Sequence, residues 1–266
     1  MHAEAVTALV GAGLVAGFLG GLIGAGGGLV VIPVLYYTFA RLGVDPAVRT
    51  HLVAGTALAA VVPMSLLGAR AHWVRGNVDR KILRRLALPV LAGSTLAGLL
   101  SGQVGGREMS MVFAGVAVLV SANLLLKRGF EMGTGLPRPV LTSLLGAAIG
   151  SVSTLVGIGG ATLTVPMLNA FRTPMPLAIG TSATLGAFIG LPGALAFMAG
   201  GWNDPRLPAG SIGYVNPVAA ALLFPASALA ISWGAQFTKR VNERVLRSVF
   251  AGFLALTAAR MFFTAN

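Results

Sequence analysis

The chain has 266 residues, of which 56% are hydrophobic and only 10% are charged, and its mean hydropathy is +0.85. Soluble domains carry about a quarter charged residues, so this composition excludes a soluble domain and predicts an all-α polytopic membrane protein. The net charge of +12 does not indicate nucleic-acid binding, because the basic residues lie in short loops between apolar runs; the absence of cysteine excludes disulfides and Cys-ligated metals.

The first predicted element is an apolar helix, Ala5–Ile23, which we expect to be retained because no basic leader region precedes it. It runs into "GAGGG" (Gly24–Gly28), and a shorter apolar arm, Leu29–Ala40, follows. As a helix, that arm spans about 18 Å, well short of a hydrocarbon core of about 30 Å. We therefore predict a helical hairpin that is broken at the glycines.

The glycine break predicts an anion site. Irregular backbone at membrane depth is tolerated only where it is buried in protein or lines a wet cavity. A helix that starts after the glycines directs unpaired N–H groups and the positive end of its dipole toward the break, and glycine lets a ligand approach the backbone. We therefore expect Gly26, Gly27 and Gly28 to bind an anion without a buried cation. Close helix packing is the alternative, and it suffices for Gly13 and Gly17.

Three ordinary spans follow the hairpin: Ala47–Ala69, Leu83–Gly105 and Met109–Leu126. Thr50 and His51 lie at the start of the first of these spans, where a hydroxyl or an imidazole is able to contact an anion. Histidine is the side-chain type that changes charge near neutral pH, which makes His51 a candidate for anion binding or for proton coupling. His72 belongs to the basic stretch after this span and is expected to be solvated.

The second half repeats the first. "GFLGGLIGAGGGLVVIPVL" (Gly17–Leu35) aligns at a constant offset with "GSVSTLVGIGGATLTVPML" (Gly150–Leu168), so the glycine break and the following proline both recur. This indicates a tandem duplication. Residues 1–128 form the first transmembrane repeat, residues 129–138 a cytoplasmic linker, and residues 139–266 the second transmembrane repeat.

The second repeat supplies its own candidate binding residues around its break and at the start of the next span. They are Thr154, Gly159, Gly160, Thr162, Thr181 and Ser182. In the predicted alignment Thr50 corresponds to Thr181, and His51 corresponds to Ser182. For the hydroxyl residues, helix capping and packing are alternatives to binding. Three spans are again predicted after the break: Leu177–Gly200, Val215–Phe237 and Val245–Phe263.

Charge predicts the orientation of the two repeats. Arg70–Arg85 holds six basic residues, whereas the matching loop of the second repeat has only Arg206, beside Asp204. The next pair of loops reverses this bias, with four basic residues in Lys239–Arg247. By the positive-inside rule, corresponding loops face opposite sides and both termini are periplasmic. The fold predicted is therefore two inverted-topology repeats, each a glycine-broken helical hairpin plus three transmembrane helices, with about 8–10 helical segments in all.

The two glycine breaks, each followed by a proline, resemble the TauE/SafE family of sulfite and organosulfur anion exporters. "HWVRGNVDRKIL" and "RVNERVLRSVFAGFLALTAARMFF" are also similar to that family, so the resemblance covers essentially the whole chain. It implies a secondary transporter of the bacterial inner membrane that exports a small sulfur-containing anion, such as sulfite, a sulfonate or a sulfur-containing carboxylate. In the family pattern, His51 stands where a serine is usual.

Two alternatives stay open: a proton-coupled anion carrier that uses His51, and a membrane assembly subunit that transports nothing. An enzyme is not expected, because the spans hold no HExxH motif, carboxylate pair or Ser/His/Asp set, and so no catalytic residue is assigned. No cofactor or metal site is predicted. The lipid bilayer is the expected surrounding, and a homodimer is compatible with the sequence.

Overall fold

A computed structural model describes residues 3–23, 28–125 and 132–237, together with residues 248, 251–257 and 259–260. The regular structure of these ranges is helical, with no β-strand, as the sequence predicts. Between residues 3 and 237 the α-helices are α1 (Ala3–Ile23), α2 (Gly28–Arg41), α3 (Pro46–Val74), α4 (Arg80–Leu100), α5 (Gly106–Leu125), α6 (Pro139–Val156), α7 (Ala161–Ala170), α8 (Met175–Gly200) and α9 (Pro217–Phe237). Gly26, Gly27 and the Lys239–Arg247 stretch lie outside the described residues.

Helix lengths agree with a polytopic membrane protein. Within the described ranges, α3, α4 with its 3-10 extension, α6 and α8 are long and apolar enough to cross a membrane. By contrast, α2 has 14 residues and α7 has 10, which correspond to about 21 Å and 15 Å. The helix that follows each glycine break is therefore too short to cross a hydrocarbon core of about 30 Å, which confirms the predicted short arms.

Local sequence explains where several helices begin and end. Asp45 and Asp79 cap the starts of α3 and α4, because each carboxylate accepts hydrogen bonds from backbone N–H groups two or three residues on. α6 ends at Gly157, which has a left-handed φ of 81° and donates its N–H to the carbonyls of Ser153 and Thr154. The second break therefore begins with a glycine that terminates the preceding helix.

α1 packs on α9 through small residues. Gly13 lies against Leu223 and Gly17 lies against Ser227, so close that a Cβ on either glycine would overlap the facing backbone. This contact confirms the packing role predicted for the two glycines of α1.

α6 packs on α4 in the same way. Gly146 lies against Leu86, and Gly150 lies against the carbonyl of Val90. Since α1 and α4 belong to the first half of the chain and α6 and α9 to the second, the first helix of each half packs on a later helix of the other half.

α3 and α8 form a central antiparallel pair. Near the start of α3, Gly55 faces Phe197 near the end of α8. Near the end of α3, His72 faces Gly180 near the start of α8. The short helix α2 packs on α3, and the short helix α7 packs on α8. A cavity, described below, lies beside the same two long helices.

Candidate functional site

A cavity of about 170 Å³ lies between α3, α8 and α9, beside the starts of α2 and α7. The wall on α3 is one face of that helix, with lining residues three or four positions apart from Ala57 to His72, about 22 Å of helix axis. Most of the lining is apolar. The polar groups come from the side chains of Ser65, His72, Ser182 and Ser227 and from the backbone of Gly28, Gly159, Gly160 and Ala161.

The start of α2 and the second helix break meet at this cavity. Gly28, the first residue of α2, lies against the second break, because a Cβ on Gly28 would be 3.1 Å from the backbone nitrogen of Gly159 and 3.2 Å from Cα of Ile158. α7 begins at Ala161, and Gly160 before it has no side chain with which to cap the helix. The first N–H groups of a helix have no partner within it. The backbone N–H groups of Thr162 and Thr164 of α7 already donate to the carbonyls of Gly159 and Gly160. The helix starts that line the cavity are Gly28 of α2 and Ala161 of α7.

Ser182 of α8 places a hydroxyl on the cavity wall. Its side chain is fully buried, and within the described part of the chain its Oγ has no hydrogen-bond partner. Ser227 differs, because its hydroxyl donates to the carbonyl oxygen of Gly13 at 2.9 Å. A buried polar group without a partner costs about 1–3 kcal/mol. A ligand that accepts a hydrogen bond from Ser182 would remove that cost.

His72 also lines the cavity, which corrects the expectation of a solvated loop residue. α3 continues to Val74, so His72 lies in the last turn of a helix and is partly buried. Its Nδ1 is buried and has no hydrogen-bond partner within the described ranges. The sequence did contain a signal for this placement, because Ser65, Gly68 and His72 follow one another at helical spacing on a single face.

The electrostatic character of the cavity comes from dipoles. Among the described residues that line it there is no Asp, Glu, Lys or Arg. A helix start carries roughly half of a positive elementary charge, and α2 and α7 both start here. This arrangement favours a negatively charged ligand over a cation. In the parts of the chain that the structure covers, no three His, Asp or Glu side chains are grouped to hold a metal ion.

His51 lies away from the cavity, at the start of α3. Its Nε2 is 2.9 Å from the carbonyl oxygen of Val104 and 3.1 Å from that of Ser101, so this nitrogen carries the proton. The ring packs on the ring of Tyr214, with 5.0 Å between centroids, and the side chain is buried. In this conformation His51 joins elements together and does not contact the cavity.

The other hydroxyl candidates are also outside the cavity lining. They are Thr50, Thr154, Thr162 and Thr181. Thr154 is buried and its hydroxyl is 2.6 Å from that of Ser94, which ties α6 to α4. Thr181 accepts a hydrogen bond from the backbone N–H of Asp79. Of the predicted binding residues in the described ranges, the cavity brings together Gly28, Gly159, Gly160 and Ser182.

The contacts of α3 and α8 match each other in detail. Gly55 of α3 lies against the carbonyl oxygen of Tyr214, in the "GYVN" segment before α9. Gly180 of α8 lies against the carbonyl oxygen of Asn77, in the corresponding "GNVD" segment before α4. In both places only a glycine allows the loop backbone to approach the helix so closely.

The residue after each of these glycines repeats the match. Thr56 Oγ1 accepts from the N–H of Asn216 at 2.9 Å, and Thr181 Oγ1 accepts from the N–H of Asp79 at 3.0 Å. Thr181 therefore corresponds in its contacts to Thr56, and the predicted correspondence with Thr50 is wrong.

When Gly55-Thr56 is aligned with Gly180-Thr181, Ser182 corresponds to Ala57, whereas the sequence prediction paired it with His51. The predicted pairing failed because the helical segments before these residues differ in length between the two halves. α2 is four residues longer than α7, and α3 has about one more turn than α8 before its Gly-Thr pair. That additional turn is formed by residues 46–49, and in this register His51 corresponds to Pro176 near the start of α8.

The loop between α8 and α9 covers the end of the α3–α8 pair that is opposite His72. Asp204 and Arg206 form an ion pair with 2.7 Å between nitrogen and oxygen, and the Tyr214 hydroxyl donates to Asp204 at 3.2 Å. The hydrogen bonds from Arg206 hold the pKa of the Asp204 carboxyl well below its usual range, while burial raises the pKa of Tyr214. With His51 packed on Tyr214, this end is held by both polar and aromatic contacts.

Comparison with known proteins finds similarity over most of the chain. A family model described as "Sulfite exporter TauE/SafE" matches residues 9–261. A "Probable membrane transporter protein" of Haemophilus influenzae is 32% identical over 251 residues, which cover 94% of this chain and 95% of that protein. The "Probable membrane transporter protein YunE" of Bacillus subtilis is 24% identical over 275 residues, which cover 96% of each chain. No solved structure matches the chain.

Proposed function

Because the chain belongs to the sulfite exporter TauE/SafE family of membrane transporters, we propose that it moves a small sulfur-containing oxyanion through the cavity beside the two helix breaks. The substrate class is sulfite, a sulfonate or a sulfur-containing carboxylate. The observation that carries the proposal is the contact of Gly28 with Gly159, which brings the starts of α2 and α7 to one cavity. Two helix starts beside a common space suit a compact oxyanion.

The binding groups that we propose are backbone N–H groups of the two breaks and the hydroxyl of Ser182. Gly26 and Gly27 are part of this proposal, although they lie outside the described residues. The described remainder of the lining is apolar, and it contains no carboxylate that would repel an anion. An oxyanion also accepts several hydrogen bonds at once, and each charge-assisted bond contributes about 1.5–3 kcal/mol.

We propose that transport uses two inverted-topology repeats that alternately expose the site. The antiparallel course of α3 and α8 supports this, as do the matched contacts of Gly55-Thr56 and Gly180-Thr181. The exchange of packing between the halves, α1 on α9 and α6 on α4, gives further support. Inverted repeats with a site near the membrane midplane are typical of secondary transporters.

Export is the direction that we propose, from the cytoplasm across a bacterial inner membrane. The cavity extends along α3 toward His72, which lies within the basic Arg70–Arg85 segment that the positive-inside rule assigns to the cytoplasm. An inside-negative potential favours the exit of an anion by about 2.3 kcal/mol per charge per 100 mV.

Thermal-shift titration of the detergent-purified full-length protein tests this site. We expect at least one of sulfite, sulfate, thiosulfate, taurine and sulfoacetate to raise the melting temperature of the wild-type protein. Ser182→Ala removes the one hydroxyl that we assign to the anion, so it should weaken the affinity about tenfold.

The matched control is Ser153→Ala. Ser153 is also fully buried and its Oγ also has no partner in the described part of the chain, but it does not line the cavity. Its loss should leave anion affinity unchanged. Failure of all five anions to stabilise the wild-type protein, or an equal loss of affinity in both serine variants, would contradict the proposed site.

A further inference from the structure

Two residues that line the cavity, Ser182 and His72, each carry a buried polar atom that has no hydrogen-bond partner in the described part of the chain: Oγ of Ser182 and Nδ1 of His72. Ser182 is explained by the proposed anion site, but the anion site at the breaks does not need an imidazole. The backbone of His72 is firmly placed, because its carbonyl accepts a hydrogen bond from the N–H of Asn77 at 2.9 Å and its Cβ is packed beside Gly180. The ring is therefore held at the cavity by a rigid part of the fold.

Among the described residues around His72, no negative charge is available to compensate a proton on its ring. α7, α8 and α9 contain no charged or titratable residue, and α2 contributes only Tyr36, Tyr37 and Arg41. Arg75 is the charged group that acts on the ring electrostatically. The carboxylate of Asp79, the nearest acid along the chain, already accepts hydrogen bonds at the start of α4. The other basic residues of this region, Arg70, Arg80, Lys81, Arg84 and Arg85, are exposed.

We propose that His72 binds a proton at Nδ1 together with the anion, so that the cavity takes up one proton for each anion that it holds. This inference rests on the proposed function, because the anion supplies the negative charge that the protein does not provide. The proton comes from water and forms an N–H bond at Nδ1, so the ring becomes an imidazolium. When the anion leaves, the proton returns to water. Coupling of this kind is reciprocal, so a proton on His72 strengthens anion binding by the same factor.

The proposed proton site lies at one end of the α3–α8 pair. The contacts of His72 recur at Phe197, whose carbonyl accepts from the N–H of Tyr214 at 3.0 Å and whose Cβ faces Gly55. A phenylalanine therefore stands at the position that matches His72. At that opposite end His51 also has a buried Nδ1 without a partner in the described ranges, but it packs on Tyr214 and does not line the cavity.

Anion affinity as a function of pH tests the inference. Sulfoacetate is the probe, because both of its acid groups stay ionised above pH 5.5. Isothermal titration of the full-length protein should show the dissociation constant rising about tenfold between pH 5.5 and 7.5, because fewer protons are available at higher pH to bind His72 together with the anion. In His72→Asn the same rise should be less than about twofold. His51 is buried away from the cavity, so His51→Asn should keep the wild-type dependence of the dissociation constant on pH.

Proton uptake by the wild-type protein gives a second readout that does not depend on any variant. Titrations at pH 6.5 in buffers of different ionisation enthalpy should show about half a proton or more taken up per anion bound. Binding without proton uptake, or an unchanged slope in His72→Asn, would overturn the role of His72 and leave the anion site intact. If sulfoacetate does not bind at any pH, the proposed site for this class of anion fails together with the inference.

Discussion

A methyl group on Gly159 is the smallest change that narrows the proposed anion site without disturbing the fold. A Cβ there would meet only the two Cγ atoms of Val61, at 3.4 and 3.5 Å, and Gly159 does not have a positive φ. We predict that Gly159→Ala weakens anion binding tenfold or more, because the added methyl keeps the anion from the backbone N–H groups. The melting temperature without anion should stay within about 2 °C of the wild type. Thermal-shift titration gives both values.

Gly13→Ala is the control for this substitution. Its Cβ would lie 2.8 Å from the Leu223 carbonyl oxygen and 2.8 Å from the Ala226 Cβ, in the α1–α9 contact. We expect this variant to lower the melting temperature clearly and to change the anion affinity little. Normal anion binding by Gly159→Ala would show that the site lies elsewhere.

At the residue scale, the sequence predicted the glycines and Ser182 but not the rest of the cavity. Gly28, Gly159 and Gly160 are conspicuous because glycine is a poor helix former in a membrane segment. Ser65 and His72 join the cavity only because α3 continues beyond its apolar run and turns one face toward α8. That orientation depends on tertiary packing, which local patterns do not report.

The hairpins were predictable at the scale of helices, whereas the match between α3 and α8 was not. Each break and each short arm follows from glycine, proline and the length of the apolar run. α2 is longer than α7, so the Gly-Thr pairs of α3 and α8 do not lie at the same distance from their glycine breaks. A sequence alignment that keeps one constant offset from the breaks onward therefore pairs the wrong residues. The correct pairing follows from the contacts that the two Gly-Thr pairs make with the "GNVD" and "GYVN" segments.

Thr56→Val and Thr181→Val test the revised match. Each change leaves a loop N–H, that of Asn216 or Asp79, without its acceptor. We predict that each lowers the free energy of unfolding by about 1–3 kcal/mol, the cost of an unsatisfied buried N–H. The two variants should resemble each other, and Thr50→Val should have less than half of their effect. Reversible unfolding in mixed micelles measures this, and an effect of Thr50→Val as large as that of Thr181→Val would contradict the match.

At the scale of the whole molecule, each half of the chain is completed by the other. The first helix of one half packs on a later helix of the other, and the two short helices meet where Gly28 contacts Gly159. Neither half therefore holds the cavity alone, since its lining combines α2 and α3 with α8 and α9. Relative movement of the halves would change the cavity directly.

The orientation of the chain in the membrane gives a prediction at this scale. Two inverted repeats require an odd net number of crossings in each half, so both termini lie on one side. We predict that a reporter fused after Asn266 is periplasmic and that one inserted at Gly76 is cytoplasmic, in agreement with the basic residues around Gly76. Paired alkaline phosphatase and fluorescent protein fusions at both positions measure this. A cytoplasmic Asn266 would contradict the inverted repeats.

Protection of a single cysteine by the anion tests the central claim most directly, since the natural chain contains no cysteine. Ser65→Cys places one thiol on the cavity wall, beside Gly186, and Ser110→Cys places one on α5, away from the cavity. The rate of modification by a small methanethiosulfonate reagent is measured for the purified protein with and without each of the five anions. We predict that a bound anion slows modification of Ser65→Cys at least fivefold and leaves that of Ser110→Cys unchanged. Equal rates at Ser65→Cys with and without an anion that stabilises the protein would show that the anion does not occupy this cavity.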